Sequence, residues 1–204
     1  MIAHTTINQL MPFVTFAFVA SITPGPSNLL VLGNSARYGF VATLPIVLGS
    51  CVGSATLVMF VGFGIGGWLS EHPNIQTAMS WAGALWMSYL AWQIARQENG
   101  PLRSEPHRPT SGLTAAALQA VNPKTWGMAV AVVSVFAGVN ADLQRYALLS
   151  CIFLMISIPC LGIWATLGSR VGPAVQSGTV ARAFNLLLGA ALLASAWVGI
   201  LGHA

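Results

Sequence analysis

Charge is what this chain lacks most. Of its 204 residues only eight are Lys or Arg and four are Asp or Glu, 6% together, where an ordinary soluble domain carries about 25%. A water-soluble globule covers its surface with polar groups, and so few charges cannot do that. Hydrophobic residues make up 55% of the sequence and the mean hydropathy is +0.74, which excludes a disordered chain. The formal net charge of +4 comes from scattered cations that form no basic patch, so nucleic acid is excluded as a partner too. What is left is an all-α integral membrane protein in contact with the lipid bilayer.

Acids and imidazoles are missing from the apolar runs. Glu71, Glu98, Glu105 and Asp142 all fall in connections, and His4, His72, His107 and His203 lie at the ends or in short connections. A proton relay built on a carboxylate at membrane depth is thereby excluded, as is intramembrane hydrolysis by a Ser–His or paired-Asp device. No glycine-rich phosphate loop is present. Cys51, Cys151 and Cys160 sit singly within apolar runs, which gives neither a disulfide framework nor a metal-ligand cluster. No enzyme, no metal and no cofactor is expected.

Charge-free intervals are the ruler for membrane spans, each needing about 20 apolar residues. They place spans near Leu10–Leu32, Leu44–Leu69, Ile75–Ala95, Leu113–Phe136, Tyr146–Leu167 and Ala183–Leu201, six transmembrane helices in a single transporter-like domain over residues 1–204. The first lacks a basic leader and a small-x-small cleavage site, so it reads as retained. The odd-numbered connections hold Arg37, then Arg96, Arg103 and Arg108, then Arg170 and Arg182; the other side offers only Arg145. This bias places the odd-numbered connections in the cytoplasm and both termini outside. The longest connection, residues 97–112 with Pro101, Pro106 and Pro109, is a cytoplasmic linker between half-repeats 1–96 and 113–204. An odd number of helices per half makes the second half enter from the opposite side, a 3+3 inverted repeat.

The first and fourth helices carry breaks. In Ile22-Thr23-Pro24-Gly25-Pro26-Ser27-Asn28, both prolines lack an N–H and would clash with carbonyls one turn earlier. Thr23 and Gly25 precede prolines and are pushed away from helical geometry, while Gly25 is free to take unusual angles. Such a segment belongs at a packed interface or wet cavity, not against lipid. Beyond it, the amides of Ser27, Asn28 and Leu29 form a half-helix N-terminus suited to a carboxylate; the alternative is a proline kink that serves packing alone. In Gln119-Ala120-Val121-Asn122-Pro123-Lys124, Asn at the cap and Pro at the first helical position restart a helix deep inside an apolar run. At 1.5 Å per residue, Lys124 lies about 16 Å beyond Leu113 and Pro24 about 14 Å before Gly33, so the breaks share a depth.

Lys124 is the one ionisable side chain expected within a span. A cation at mid-bilayer costs at least about 2.5–3.5 kcal/mol, and just after a helix start it also opposes the dipole. An anionic ligand offsets both costs; snorkelling to the cytoplasmic interface is the alternative. Gly49-x-x-x-Gly53 and Gly62-x-x-x-Gly66 are close-packing motifs. Trp81, Trp86 and Trp92, with Tyr89, are core or interfacial anchors rather than a ligand cage.

These residues carry a resemblance. Thr23-Pro24-Gly25-Pro26-Ser27-Asn28, the following Arg37-Tyr38-Gly39, and Asn122-Pro123-Lys124 resemble the lysine-exporter (LysE/RhtB) family of bacterial amino-acid exporters, in length, spacing and six-helix plan. Trp81-Ala82-Gly83-Ala84 through Leu90-Ala91-Trp92-Gln93-Ile94-Ala95 is similar to the branch exporting cysteine and O-acetylserine. Many relatives place an aspartate near the stretch where this chain has Gly49-Ser50-Cys51-Val52-Gly53; the departure argues against basic substrates and against coupling through a carboxylate there. The resemblance implies efflux across the inner membrane driven by proton antiport.

The expectation is thus an exporter of a small neutral zwitterionic amino acid or derivative. Pro24, Gly25, Pro26, Ser27, Asn28, Gln119, Asn122, Pro123 and Lys124 would form the substrate site. The carboxylate would meet the half-helix amides and Lys124, and Ser27, Asn28, Gln119 and Asn122 would give neutral hydrogen bonds. Alternating access would rock one half against the other. A passive channel or a non-transporting assembly protein remains the alternative, and a homo-oligomer stays open.

Overall fold

The computed structural model describes residues 7–65, 71–96, 109–137, 141–173 and 178–201, and every regular element among them is helical. The termini, Gly66 and residues 97–108 of the expected linker lie outside the described residues. In chain order the helices are α1 (Ile7–Ile22), α2 (Pro26–Tyr38), α3 (Phe40–Phe60), α4 (Pro73–Arg96), α5 (Gly112–Ala117), α6 (Pro123–Ala131), α7 (Leu143–Val171) and α8 (Gly178–Leu201). A wider π-helical turn extends α3 through Val61–Ile65 and another extends α6 through Val132–Ala137; a 3₁₀ turn, Leu118–Val121, extends α5 to the second break. Each apolar interval read from the sequence is helical over its described residues except at the two breaks, residues 23–25 and Asn122.

Phe40–Gly64 and Leu143–Val171 are each long and apolar enough to cross a membrane, and α1 with α2, bent by 51° at the break, counts as a third such span. The surface of these helices suits hydrocarbon. On α3, Val41 is 77% exposed and Leu48 50%, whereas Ser50 on the opposite face is 1% exposed. In water that arrangement would be inverted; in lipid, polar groups turn inward and apolar ones outward.

One boundary moves. The sequence reading ends the first span near Leu32 and treats Arg37 as part of a loop. Instead α2 runs to Tyr38 and α3 starts at Phe40, so Gly39 alone connects them, at φ 84°. That left-handed angle suits glycine and reverses the chain in one residue. Arg37 falls in the last turn of α2, where a cation complements the dipole, and donates from Nη2 to Asn185 Oδ1 of α8 at 2.8 Å.

Packing is most extensive between α4 and α8, between α7 and both α2 and α3, between α5 and α3, and between α1 and α7. The α3–α5 contact uses Gly49 and Gly53. A Cβ on Gly53 would stand 2.7 Å from the Ala116 carbonyl oxygen, and one on Gly49 would overlap the Gly112 backbone, so these glycines serve close packing. Of three apolar clusters among the described residues, one joins Leu29 of α2 to Ala84 and Ala91 of α4 and to Leu188 of α8, and the other two flank the breaks. One of that pair joins Phe13 and Ala17 of α1 to Leu57, Val58 and Val61 at the end of α3 and to Leu149 and Phe153 at the start of α7. The other joins Val31 of α2 to Ile46, Val47 and Cys51 at the start of α3 and to Leu161 and Ala165 toward the end of α7. Both helix breaks lie between them.

Candidate functional site

A helix that stops inside a membrane leaves its last carbonyls without amide partners, and no water is at hand to replace them. At the first break the carbonyls of Ser21, Ile22 and Thr23 are met by side chains. Ser21 O accepts from Asn28 Nδ2 at 2.9 Å, Ile22 O from Trp164 Nε1 at 3.0 Å, and Thr23 O from Lys124 Nζ at 2.6 Å. Pro24 O lies 3.4 Å from the same ammonium. The cation of Lys124 thus stands at the C-terminal end of α1, where the dipole favours it. Its backbone opens α6, but the four-carbon stem carries the charge to the opposite kind of helix end. Hydrogen bonds to the first break, a partner that the reading from sequence did not name, hold the ammonium there.

Gly25 lies under that stem. Its backbone is fully extended, φ −171° and ψ 178°, angles open to any residue, so the expected use of unusual angles is corrected. Space is the reason for glycine: a Cβ there would be 2.7 Å from Lys124 Cδ and 3.0 Å from Nζ. Gly25 and Pro26 are buried but Thr23 and Pro24 are exposed, so only the inner part of the segment turns away from the surroundings. After Pro26, Leu29 N regains a helical bond to Gly25 O at 3.0 Å. This leaves Ser27 and Asn28 as the first-turn amides without an intrahelical acceptor, and removes Leu29 from the expected anion-binding set.

The second break follows its sequence signature. Asn122 caps α6 by accepting from Lys124 N at 3.1 Å, with Pro123 in the first turn. Trp126 Nε1 donates to Ala120 O at 2.8 Å, so each break uses an indole to meet a freed carbonyl. Behind the breaks, Gln119 ties the two together. Its Nε2 donates to Ala115 O at 2.9 Å, fixing the amide, and its Oε1 faces Thr125 Oγ1 at 2.9 Å, Ser27 Oγ at 3.1 Å, Asn122 Nδ2 at 3.2 Å and Ser54 Oγ at 3.3 Å. Asn122 Nδ2 also reaches Ser27 Oγ at 3.3 Å.

Between α1, α2, α3, α6 and α7 lies a small cavity of about 30 Å³. It is narrow, with room for a few waters rather than a seated amino acid, and two of the apolar clusters lie on either side of it along the helices. Of the expected site residues, Ser27, Asn28, Asn122 and Lys124 line it. Pro24, Gly25, Pro26 and Pro123 shape the breaks, and Gln119 stands behind the wall. Sequence reading missed Ser21, Ser50, Ser54, Thr125 and Ser157, which also line it. Their signal was small polar residues within apolar spans, Ser50 and Ser54 one helical turn apart. Among the described residues no group of His, Cys, Asp or Glu could hold a metal ion. Trp81 and Trp92 are about half exposed; Trp81 stacks edge-on with Trp197 at 5.7 Å, and Arg96 sits 4.4 Å from the Trp92 ring centre, as anchors do.

Residues 18–200, which include both breaks and every cavity-lining residue, match the LysE type translocator family. The chain belongs to the LysE family of translocators. Cysteine/O-acetylserine efflux proteins of Escherichia coli K12 and Shigella sonnei Ss046 are each 32% identical to it over 134 residues, 64% of this chain and 67% of theirs. No solved structure matches it. This LysE-family protein is therefore an integral membrane translocator and not an enzyme.

Proposed function

We propose that this chain exports a small, neutral, zwitterionic amino acid or derivative across the bacterial inner membrane by proton-driven alternating access. The observation that carries the proposal is the meeting of the two breaks: Lys124 from the second reaches Thr23 O of the first at 2.6 Å, beside a cavity lined by Ser27 and Asn28. A substrate carboxylate there would find the Ser27 and Asn28 amides at the positive end of α2 and the ammonium of Lys124, which has a third proton to donate. None of the described lining residues is a carboxylate, which suits a neutral substrate better than a basic one. The names of the E. coli and Shigella relatives point to the same class.

Six crossings and a 3+3 inverted repeat complete the proposal. Supporting it, α1 packs on α7 as α5 packs on α3, and α3–α7 and α4–α8 pair like with like across the halves, a pattern that suits a two-fold axis in the membrane plane, although α2 packs on α7 far more extensively than α6 on α3. Apolar clusters to both sides of a narrow cavity suit an occluded carrier better than an open pore. Counterflow decides: purified protein in liposomes preloaded with unlabelled L-cysteine under reductant should accumulate labelled L-cysteine transiently and saturably. Linear, non-saturating entry would make it a channel, and no entry would leave an assembly role.

The orientation is tested separately. With both termini outside, as the cation bias argues, alkaline phosphatase fused after Ala204 should be active, and the same enzyme inserted within residues 97–112 inactive. The reverse pattern would sink the topology and the inverted repeat with it.

A further inference from the structure

Six hydroxyl-bearing residues line the cavity: Ser21, Ser27, Ser50, Ser54, Thr125 and Ser157. Four have their oxygen engaged. Ser27, Ser54 and Thr125 reach Gln119 Oε1, and Ser157 donates to Phe153 O at 2.5 Å. The other two, Ser21 Oγ and Ser50 Oγ, have no partner, although their residues are only 5% and 1% exposed. The usual escape for a serine in a helix is to donate to the carbonyl one turn back, as Ser157 does, and neither takes it. A buried polar atom without a partner needs an explanation. The apolar part of the wall, Ala20, Cys51, Met128, Phe153 and Leu161, provides no strong donor or acceptor side chain.

We propose that Ser21 and Ser50 are the part of the cavity that reads the substrate's side chain, selecting a short one that ends in a hydroxyl, thiol or small ester. The proposal rests on the amino-acid export reading and adds to it the residues that set specificity. A hydroxyl can both donate and accept, so the pair serves an O–H, an S–H or an ester carbonyl equally. Lys124 and the amides of Ser27 and Asn28 hold the carboxylate that all amino acids share. An apolar side chain of the same size leaves both hydroxyls unpaired, and a site built to hydrogen-bond discriminates against the analogue that cannot.

The test is competition against labelled L-cysteine counterflow in proteoliposomes under reductant, with L-serine, O-acetyl-L-serine and the apolar isostere L-2-aminobutyrate as competitors. The measured quantity is the ratio of half-inhibitory concentrations, L-2-aminobutyrate over L-serine. Wild type should favour L-serine, and Ser21→Ala and Ser50→Ala should each lower the ratio roughly two- to tenfold, the worth of one hydrogen bond. Removing an unpartnered buried hydroxyl does not threaten folding, so both variants should melt at or above the wild-type temperature. Ser150→Ala is the control: Ser150 Oγ is also buried and unpartnered but is not in the cavity wall, and its loss should leave the ratio alone. A ratio unchanged in both cavity variants would mean that these hydroxyls hold only water and would overturn the proposal, leaving export standing. Absence of saturable counterflow in the wild type would overturn export and this inference together.

Discussion

Lys124→Met should remove most transport while the protein still inserts, and should lower its melting temperature as well. Methionine keeps much of the apolar stem and deletes only the cation. Two losses follow. Thr23 O and Pro24 O lose the ammonium that now lies 2.6 and 3.4 Å away, and a substrate carboxylate loses a charge-assisted partner. A hydrogen bond to a charged group contributes about 1.5–3 kcal/mol, so apparent affinity should fall roughly ten- to more than a hundredfold. Lys124→Arg should not rescue it, because a planar fork cannot occupy the space of a compact ammonium over Gly25. Saturation curves normalised to inserted protein, with melting curves in detergent, separate the roles. Lower stability with unchanged affinity would leave Lys124 as a cap for α1 only, and no change in either would remove it from the site. Gly25→Ala supplies a second handle. Its Cβ would push on the flexible lysine stem at 2.7 Å, so it should mimic part of the Lys124→Met defect and add little to it in the double variant.

Both breaks were legible because their causes are local. Proline removes a donor wherever it stands, and Asn122-Pro123 is a cap with a first-turn proline in any context. What meets the freed carbonyls was not legible, because it comes from far along the chain. Trp164 lies 142 residues from Ile22, and Lys124 lies 101 from Thr23. The sequence alone leaves Lys124 a ligand or the interface as its destination, and the helix end that its stem reaches becomes visible only in the fold. Charge misled once. Arg37 was taken to mark a loop, whereas a helix C-terminus suits a cation as well as a loop does, and Asn185 accepts it there. The cavity serines were passed over because a serine in an apolar helix ordinarily bonds its own backbone; only burial without a partner distinguishes Ser21 and Ser50 from Ser157.

Gln119→Met should be the most damaging single change behind the cavity wall. The carbonyl of Gln119 has two lone pairs and faces four donors, from Ser27, Ser54, Asn122 and Thr125. Removing it strands them unequally. Ser54 and Thr125 sit in helices and can turn to the carbonyl one turn back. Asn122 Nδ2 keeps only Ser27 Oγ at 3.3 Å, while its own oxygen still caps Lys124 N. Ser27 and Asn122 are the residues through which the two breaks are held in register, so the lost oxygen frees each break to shift against the other. A buried donor left unsatisfied costs about 1–3 kcal/mol, and two of them would take a large share of a stability of about 5–15 kcal/mol. The expected result is a fall in melting temperature of several degrees or more, with transport lost even in protein that remains inserted. Gln119→Glu separates the acceptor from the shape of the side chain. It keeps oxygens for the four donors and gives up the Nε2 bond to Ala115 O, so it should melt above Gln119→Met. Ser54→Ala withdraws one distant donor, at 3.3 Å, from an oversubscribed acceptor and should change stability by less than about 1 kcal/mol. If Gln119→Met melts and transports like wild type, the hydrogen bonds around Gln119 do not hold the breaks together, and their register is set by the Lys124 bond to Thr23 O and the glycine contacts of α3 with α5.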